Sequence, residues 1–163
     1  NQLRIEDGDV IVIAQKIFSK AEDRIAKLED IVPSRKAEEI AQITGKDPRF
    51  VELVMRETNS IIKASPEVLL VKDRRKIICI NAGIDKSNVK GKGRFALLPE
   101  NPDTSAENCR KKIKKLTGKN VAVVVSDTYS RPFRRGQVNY AIGMAGIDPF
   151  KDYRGKTDLF GYL

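Results

Sequence analysis

The chain has 163 residues, a formal net charge of +9 and no histidine. Without histidine, neither a zinc site of the usual kind nor a Ser-His-Asp or Cys-His nucleophile can be built from this stretch, so any metal would be held by oxygens, as magnesium, manganese or calcium are. No apolar run approaches the length of a membrane span and no signal peptide opens the sequence, so a soluble, cytoplasmic protein is expected.

The length suits one domain with a sizeable core, or part of a larger one. A start at Asn1 rather than Met and an end at Leu163 suggest a fragment. Cys79 and Cys109 lack any ligand-like spacing and stand where apolar residues belong, which fits buried, reduced thiols. The basic balance admits nucleic acid as a partner, and the run Arg110, Lys111, Lys112, Lys114, Lys115 could track phosphates. It equally fits a solvated or heat-adapted surface. No aromatic stacking motif or zinc-finger spacing accompanies it, so small anionic substrates are weighed above nucleic acid.

In chain order, Asp7, Gly8 and Asp9 form a turn before Val10 to Ala14, whose unbroken apolar pattern predicts a strand buried on both faces. Ser19 is a candidate cap for a helix continuing over Ala21 to Leu28, with Ile25 and Leu28 on one face. If that helix begins early, Lys16 and Lys20 share a face and could meet phosphate at its amino end. They could also be simply solvated. Pro33 and Gly45 bracket a second helix through Ala37, Ile40 and Ala41, and Asp47-Pro48 begins a third with Val51, Val54 and Met55 inward. Ser65 and Pro66 break the chain, and Val68 to Val71 with Lys76 to Ile80 read as a hairpin.

Ile77 to Ile80 then run into NAGIDKSN, where Ala82 and Gly83 permit close approach and Asp85 arrives as a core strand ends. Asp85 could instead serve a turn through its own carboxylate. Asp103 or Thr104 is expected to cap a helix with Ala106, Cys109, Ile113 and Leu116 on one face, ended by Gly118. Val121 to Val125 predict another doubly buried strand, running directly into Ser126, Asp127 and Thr128. Arg131, Arg134 and Arg135 follow in a loop marked by Pro132 and Gly136, and Val138, Tyr140 and Ile142 alternate as a half-buried strand.

A carboxylate at the end of a dry strand is costly without a cation, although a turn cap paired with a neighbouring arginine would also account for Asp127. If the three strands ending near residues 14, 80 and 125 lie side by side in one sheet, Asp85 and Asp127 approach each other. With the Thr128 hydroxyl they then make an oxygen-only site for a hard divalent ion. Lys16, Lys20 and the arginines would neutralise phosphates there, as phosphoryl transfer requires. The chain contains no GxxxxGK[ST] or GxGxxG loop, so it offers neither a P-loop nor a Rossmann or kinase glycine loop.

The segments GDVIVIAQKIFSKAEDR, INAGIDKSNV, LPENPDTSA, VSDTYSRPFRRGQ, AIGMAGI and DYRGKTDLFG together resemble the coenzyme F-420-0:L-glutamate ligase (coenzyme F-420 gamma-glutamyl ligase) family, from about Glu6 to Leu163. The resemblance implies a GTP-dependent amide ligase with Mn²⁺ or Mg²⁺ and stimulation by K⁺. Such an enzyme joins L-glutamate to the lactyl carboxylate of F-420-0 through an acyl phosphate and then adds γ-linked glutamate. It implies Asp85 and Asp127, with Thr128, as metal ligands and catalytic residues, and Gln15, Lys16, Lys20 and Asn88 as GTP contacts.

The implied fold is α+β, a mixed sheet with flanking helices, in a two-part ligase that forms an interlocked homodimer. Residues 1–163 would then be a partial catalytic domain, lacking an N-terminal loop and a C-terminal segment that carries one more metal ligand. The sequence departs from the family pattern at Asp23 and Ser130, where glycine is usual, and at Asn101, where aspartate is usual. An inactive or truncated relative, or a basic nucleic-acid-binding module, are the alternatives.

Overall fold

The computed structural model describes residues 4–129 and 135–162. Ser130, Arg131, Pro132 and Arg134 lie outside the described residues. The chain has the expected α+β class and divides into two compact units, one of residues 1–13, 101–127 and 139–163, the other of residues 14–100 and 128–138. No helix among the described residues is long and apolar enough to cross a membrane.

The first unit is built on a three-stranded sheet in which β7 (Ala122–Tyr129) lies between β1 (Val10–Ala14) and β8 (Val138–Ala145). As a central strand, β7 is buried as its sequence predicts, with Val123 and Val125 wholly inaccessible. β1 corrects its own prediction. It stands at the edge of the sheet and alternates, leaving Val10 and Val12 exposed despite their apolar character.

α4 (Pro102–Thr117) belongs to the same unit and is capped by Asn101, whose Oδ1 accepts from the Thr104 N–H at 3.0 Å, rather than by Asp103 or Thr104. Asparagine and aspartate serve this place alike, since either side chain offers the oxygen an amino-terminal N–H needs. Asp103 is used differently, accepting from the Met144 N–H of β8 at 2.7 Å. The predicted apolar face of α4 holds only in part, because Ala106 is buried, Cys109 is half-buried and Leu116 is exposed. Gly118 ends the helix in the left-handed conformation, as expected.

In the second unit, α2 (Arg35–Thr44) and α3 (Pro48–Arg56) share one apolar core with an antiparallel sheet of β3 (Thr58–Ser65), β4 (Val68–Asp73) and β5 (Ile78–Ile80). Val51, Val54, Leu69 and Val71 fill its centre. Ser34 and Asp47 cap the two helices through their side chains, and the predicted hairpin is β4–β5. Its turn is tied by the buried Asp73, which accepts from the backbone N–H groups of Arg75 and Ile77 and pairs with the Arg75 guanidinium. β3 has no counterpart in the sequence reading, because two register shifts break its alternation.

The predicted helix over Ala21 to Leu28 is not formed. α1 runs from Gln15 to Ala21, Asp23 turns the chain with φ of 54°, and Ile25–Lys27 form β2, antiparallel to β6 (Arg94–Ala96). Ser19 accordingly caps nothing. It is buried inside α1, its hydroxyl donating to the Gln15 side chain at 2.7 Å.

Candidate active site

The strands expected to lie side by side do not share one sheet: β1 and β7 do, whereas β5 pairs with β4 in the second unit. Asp127 stands at the end of the buried part of β7, and Asp85 in the loop after β5. Thr128 follows Asp127 on β7 and is exposed. Among the described residues no cluster of three or more Asp, Glu, Cys or His stands together as a ready cage for a metal.

Asp85 is held at both its backbone and its side chain. Its N–H and C=O bond Ala96 of β6 at 3.1 and 2.8 Å, pinning the residue beside that strand. One carboxylate oxygen accepts from the Ser87 N–H at 3.0 Å, which is the local turn that the residue spacing allowed. The other accepts from the Ser87 hydroxyl and from the ammonium of Lys16, a residue 69 positions earlier in the chain. Lys16 also donates to the Ser87 hydroxyl oxygen. Burial pushes the Asp85 carboxyl up, but the bonds from Lys16 and Ser87 outweigh it and hold the pKa down at about 2. The group is thus an anion at any ordinary pH, with nearly half of its side chain open to solvent.

The approach to Asp85 is strained. Asn81, Ala82 and Gly83 have φ of 53°, 54° and 71°, three successive left-handed residues, and Ala82 is buried with a Cβ that this conformation disfavours. Gly83 is required twice over: a Cβ there would stand 2.6 Å from the Leu98 side chain. The strain aims the loop, so that Asp85 leaves the β4–β5 hairpin and reaches β6.

α1 begins immediately after β1, so Lys16 and Lys20 do lie one turn apart on a single helix. Lys16 is already paired with Asp85, whereas Lys20 is exposed at the last turn. Gln15 is buried, with its side chain engaged by Ser19. Asn88 is exposed and left-handed, with φ of 58°. Ser87, which completes the Asp85 cluster, was not singled out from the sequence. Its signal was the short Asp-Lys-Ser spacing, in which a hydroxyl two residues on can fold back to a carboxylate.

Beside Asp85 lies a cleft of about 320 Å³ within the second unit. Phe50, Phe95, Leu28 and Ile84 give it an apolar side, the two phenyl rings packing at a centroid distance of 4.9 Å. Lys46, Asp47, Asn81 and Lys86 supply its polar side. None of these residues stood out in the sequence as a site, because they come from separate elements and carry no common spacing.

The second unit thus gathers an ionised carboxylate, a lysine and a hydroxyl beside a cleft of mixed polar and apolar lining. The chain belongs to the F420-0:Gamma-glutamyl ligase family, whose profile matches residues 1–163. It is 46% identical over 161 residues to the coenzyme F420:L-glutamate ligase of Methanocaldococcus jannaschii, covering 98% of this chain and 64% of that protein. The protein of the same name from Archaeoglobus fulgidus is 47% identical over 161 residues, covering 99% of this chain and 64% of the relative. That of Methanothermobacter thermautotrophicus is 46% identical over 155 residues, 95% of this chain and 61% of the relative. The chain therefore spans less than two thirds of the length of these relatives.

Proposed function

We propose that this protein joins L-glutamate to the carboxylate of coenzyme F420-0 through an amide bond, at the expense of GTP. The observation that carries the reading is the meeting of Lys16 with Asp85 and Ser87. Two of the segments on which the family resemblance rests, QKIFSK and INAGIDKSNV, are folded onto one another at this point. Family membership and the names of the relatives support the ligation of glutamate, and the use of GTP rests on the family resemblance.

In the proposed course a carboxylate oxygen of F420-0 attacks the γ-phosphorus of GTP and GDP leaves. The glutamate nitrogen then attacks the acyl carbon, and phosphate departs with that oxygen while the nitrogen sheds its surplus protons to water. A further glutamate is added through a γ-linkage. Lys16 and Lys20 are proposed to face phosphate oxygens, with Gln15 and Asn88 as further nucleotide contacts. Positioning and charge neutralisation would provide most of the rate, which suits a site without a protein nucleophile.

Asp85 and Asp127 with the Thr128 hydroxyl are proposed as ligands of Mn²⁺ or Mg²⁺. The donor set fits a hard cation: the atoms are oxygens, and the Asp85 carboxylate is ionised and partly open. Such an ion, when bound, neutralises charge developing on the transferred phosphoryl group. Stimulation by K⁺ and assembly as a homodimer complete the proposal and rest on the family resemblance.

The test is a coupled assay of the full-length protein with F420-0, L-glutamate, GTP and Mn²⁺, with products separated by glutamate number. Asp127→Asn should abolish turnover while leaving the thermal transition in place. Full activity in that variant would remove Asp127 from the mechanism, and binding of DNA or RNA that ignores GTP and Mn²⁺ would replace the ligase reading altogether.

A further inference from the structure

We propose that Lys16 is an exchangeable counter-ion of Asp85: a divalent cation taken up by Asp85 displaces the ammonium, which is thereby freed to meet phosphate. The proposal rests on the reading of Asp85 as a metal ligand, and its test separates the two.

The bonds at Asp85 set up the exchange. Oδ1 accepts from the Ser87 N–H, whereas Oδ2 takes both the Lys16 ammonium and the Ser87 hydroxyl. A magnesium ion stands about 2.1 Å from its oxygens, closer than an ammonium nitrogen comes to a carboxylate, and two cations on one oxygen repel each other strongly at that range. The second acceptor of Lys16 is the uncharged Ser87 hydroxyl, so Asp85 alone balances its charge. The carboxylate can therefore serve the ion or the ammonium, and not both.

Of the two donors on Oδ2, Lys16 is the one able to leave. Ser87 is two residues from Asp85 and moves with it. Lys16 arrives from the first turn of α1, 69 positions earlier, on a flexible four-carbon stem. The two side chains are 22% and 46% exposed, so water reaches both ends of the bond and the pair is weakly held. The Asp73–Arg75 pair of the same unit shows the opposite case. Asp73 is buried and also ties down the N–H groups of Arg75 and Ile77, which commits it to the hairpin turn.

Held by Asp85, Lys16 is electrically spent, because the pair carries no net charge. Once an ion has taken its place, the same ammonium is a full positive charge for phosphate oxygens. Uptake of the cation and of phosphate groups thus favour one another.

The experiment titrates the full-length protein with Mn²⁺ alone, without nucleotide, and follows the free ion by electron paramagnetic resonance. Lys16→Met keeps the stem and removes the charge. It should bind Mn²⁺ about fivefold more tightly than the wild type, the factor by which a partly exposed pair competes. Lys16→Gln should shift the same way. Lys36→Met, which removes an equal charge from an exposed position on α2, should leave the affinity where it is, and Asp85→Asn should lose the site. Turnover of Lys16→Met falls while its metal binding tightens, whereas a merely structural role would weaken both. Affinity that is unchanged or weaker in both Lys16 variants, with the site lost in Asp85→Asn, overturns the exchange and leaves Asp85 a metal ligand. Wild-type affinity retained in Asp85→Asn removes Asp85 from the metal site, and the exchange with it. If the wild type binds Mn²⁺ but forms no amide product, the ligase reading fails and the titration still decides the exchange.

Discussion

Replacing Lys16 by methionine separates the electrostatic role of this residue from any part it has in folding. Lys16 reaches Asp85 across 69 positions of sequence, and its bond is the leading one that holds the carboxyl down. The Ser87 hydroxyl and N–H remain in the variant, so the Asp85 pKa should climb from about 2 only part of the way towards the ordinary value of 3.8. With nearly half of the Asp85 side chain in solvent, the pair contributes little to stability. A loss below about 1 kcal/mol, or a Tm change under about 4 °C, is expected. Because the folded-state pKa is depressed, this contribution is present above pH 3.8 and fades as pH falls towards 2, so wild type and variant should converge in acid. Activity should respond far more, falling by about a hundredfold, the usual effect of removing one donor aimed at developing charge. The checks are a carbon-detected NMR titration of the Asp85 carboxyl, melting curves at neutral and acid pH, and GTP-dependent turnover. An Asp85 pKa that stays at its wild-type value, or turnover that survives intact, would refute the reasoning.

Two further substitutions test how the scaffold is held. A Cβ placed at Gly143 would lie 2.4 Å from the Pro102 carbonyl carbon and 2.7 Å from the Asp103 nitrogen, so Gly143→Ala must part β8 from the first turn of α4 and weaken the Met144–Asp103 bond. A loss of about 2–4 kcal/mol, or a Tm lower by roughly 8 °C, should appear in a thermal melt, and an unchanged Tm would show that the two elements do not pack as described. Asp23→Gly should act the other way, raising stability by up to about 1 kcal/mol, because Asp23 is exposed and holds φ of 54° where glycine pays no steric penalty. Denaturant midpoints compared at constant m-value would settle it, a lower midpoint counting against the turn as described.

The elements that sequence revealed are those in which a single local signal settles the outcome. The Asp47-Pro48 start of α3, the Gly45 and Gly118 ends of α2 and α4, and the apolar run of β7 each behave as their residues alone suggest. The errors lie where neighbours decide. Val10 to Ala14 is as apolar as Val121 to Val125, yet one strand is at an edge and the other is central, and strand order is not written in either segment. Ile25 and Leu28 fit a helical spacing, but a left-handed Asp23 and pairing with β6 turn Ile25–Lys27 into a strand. At the site, Asp85 and Lys16 were both visible as residues, whereas their ion pair was not, since it joins the first turn of α1 to a loop 69 positions further along the chain. The cleft was invisible for the same reason: Phe50, Asn81, Lys86 and Phe95 meet only after the chain has folded.

In the proposed reaction a carboxylate is activated by phosphate before an amine displaces that phosphate. The direct measurement supplies the full-length protein with F420-0 whose carboxylate carries heavy oxygen, together with L-glutamate, GTP and Mn²⁺, and follows the label by mass spectrometry. One heavy oxygen should appear in the released phosphate for each first glutamate joined to F420-0, later γ-linked additions releasing unlabelled phosphate, with no product when GTP is omitted. Amide product formed without GTP, or phosphate that stays unlabelled while product accumulates, would contradict it.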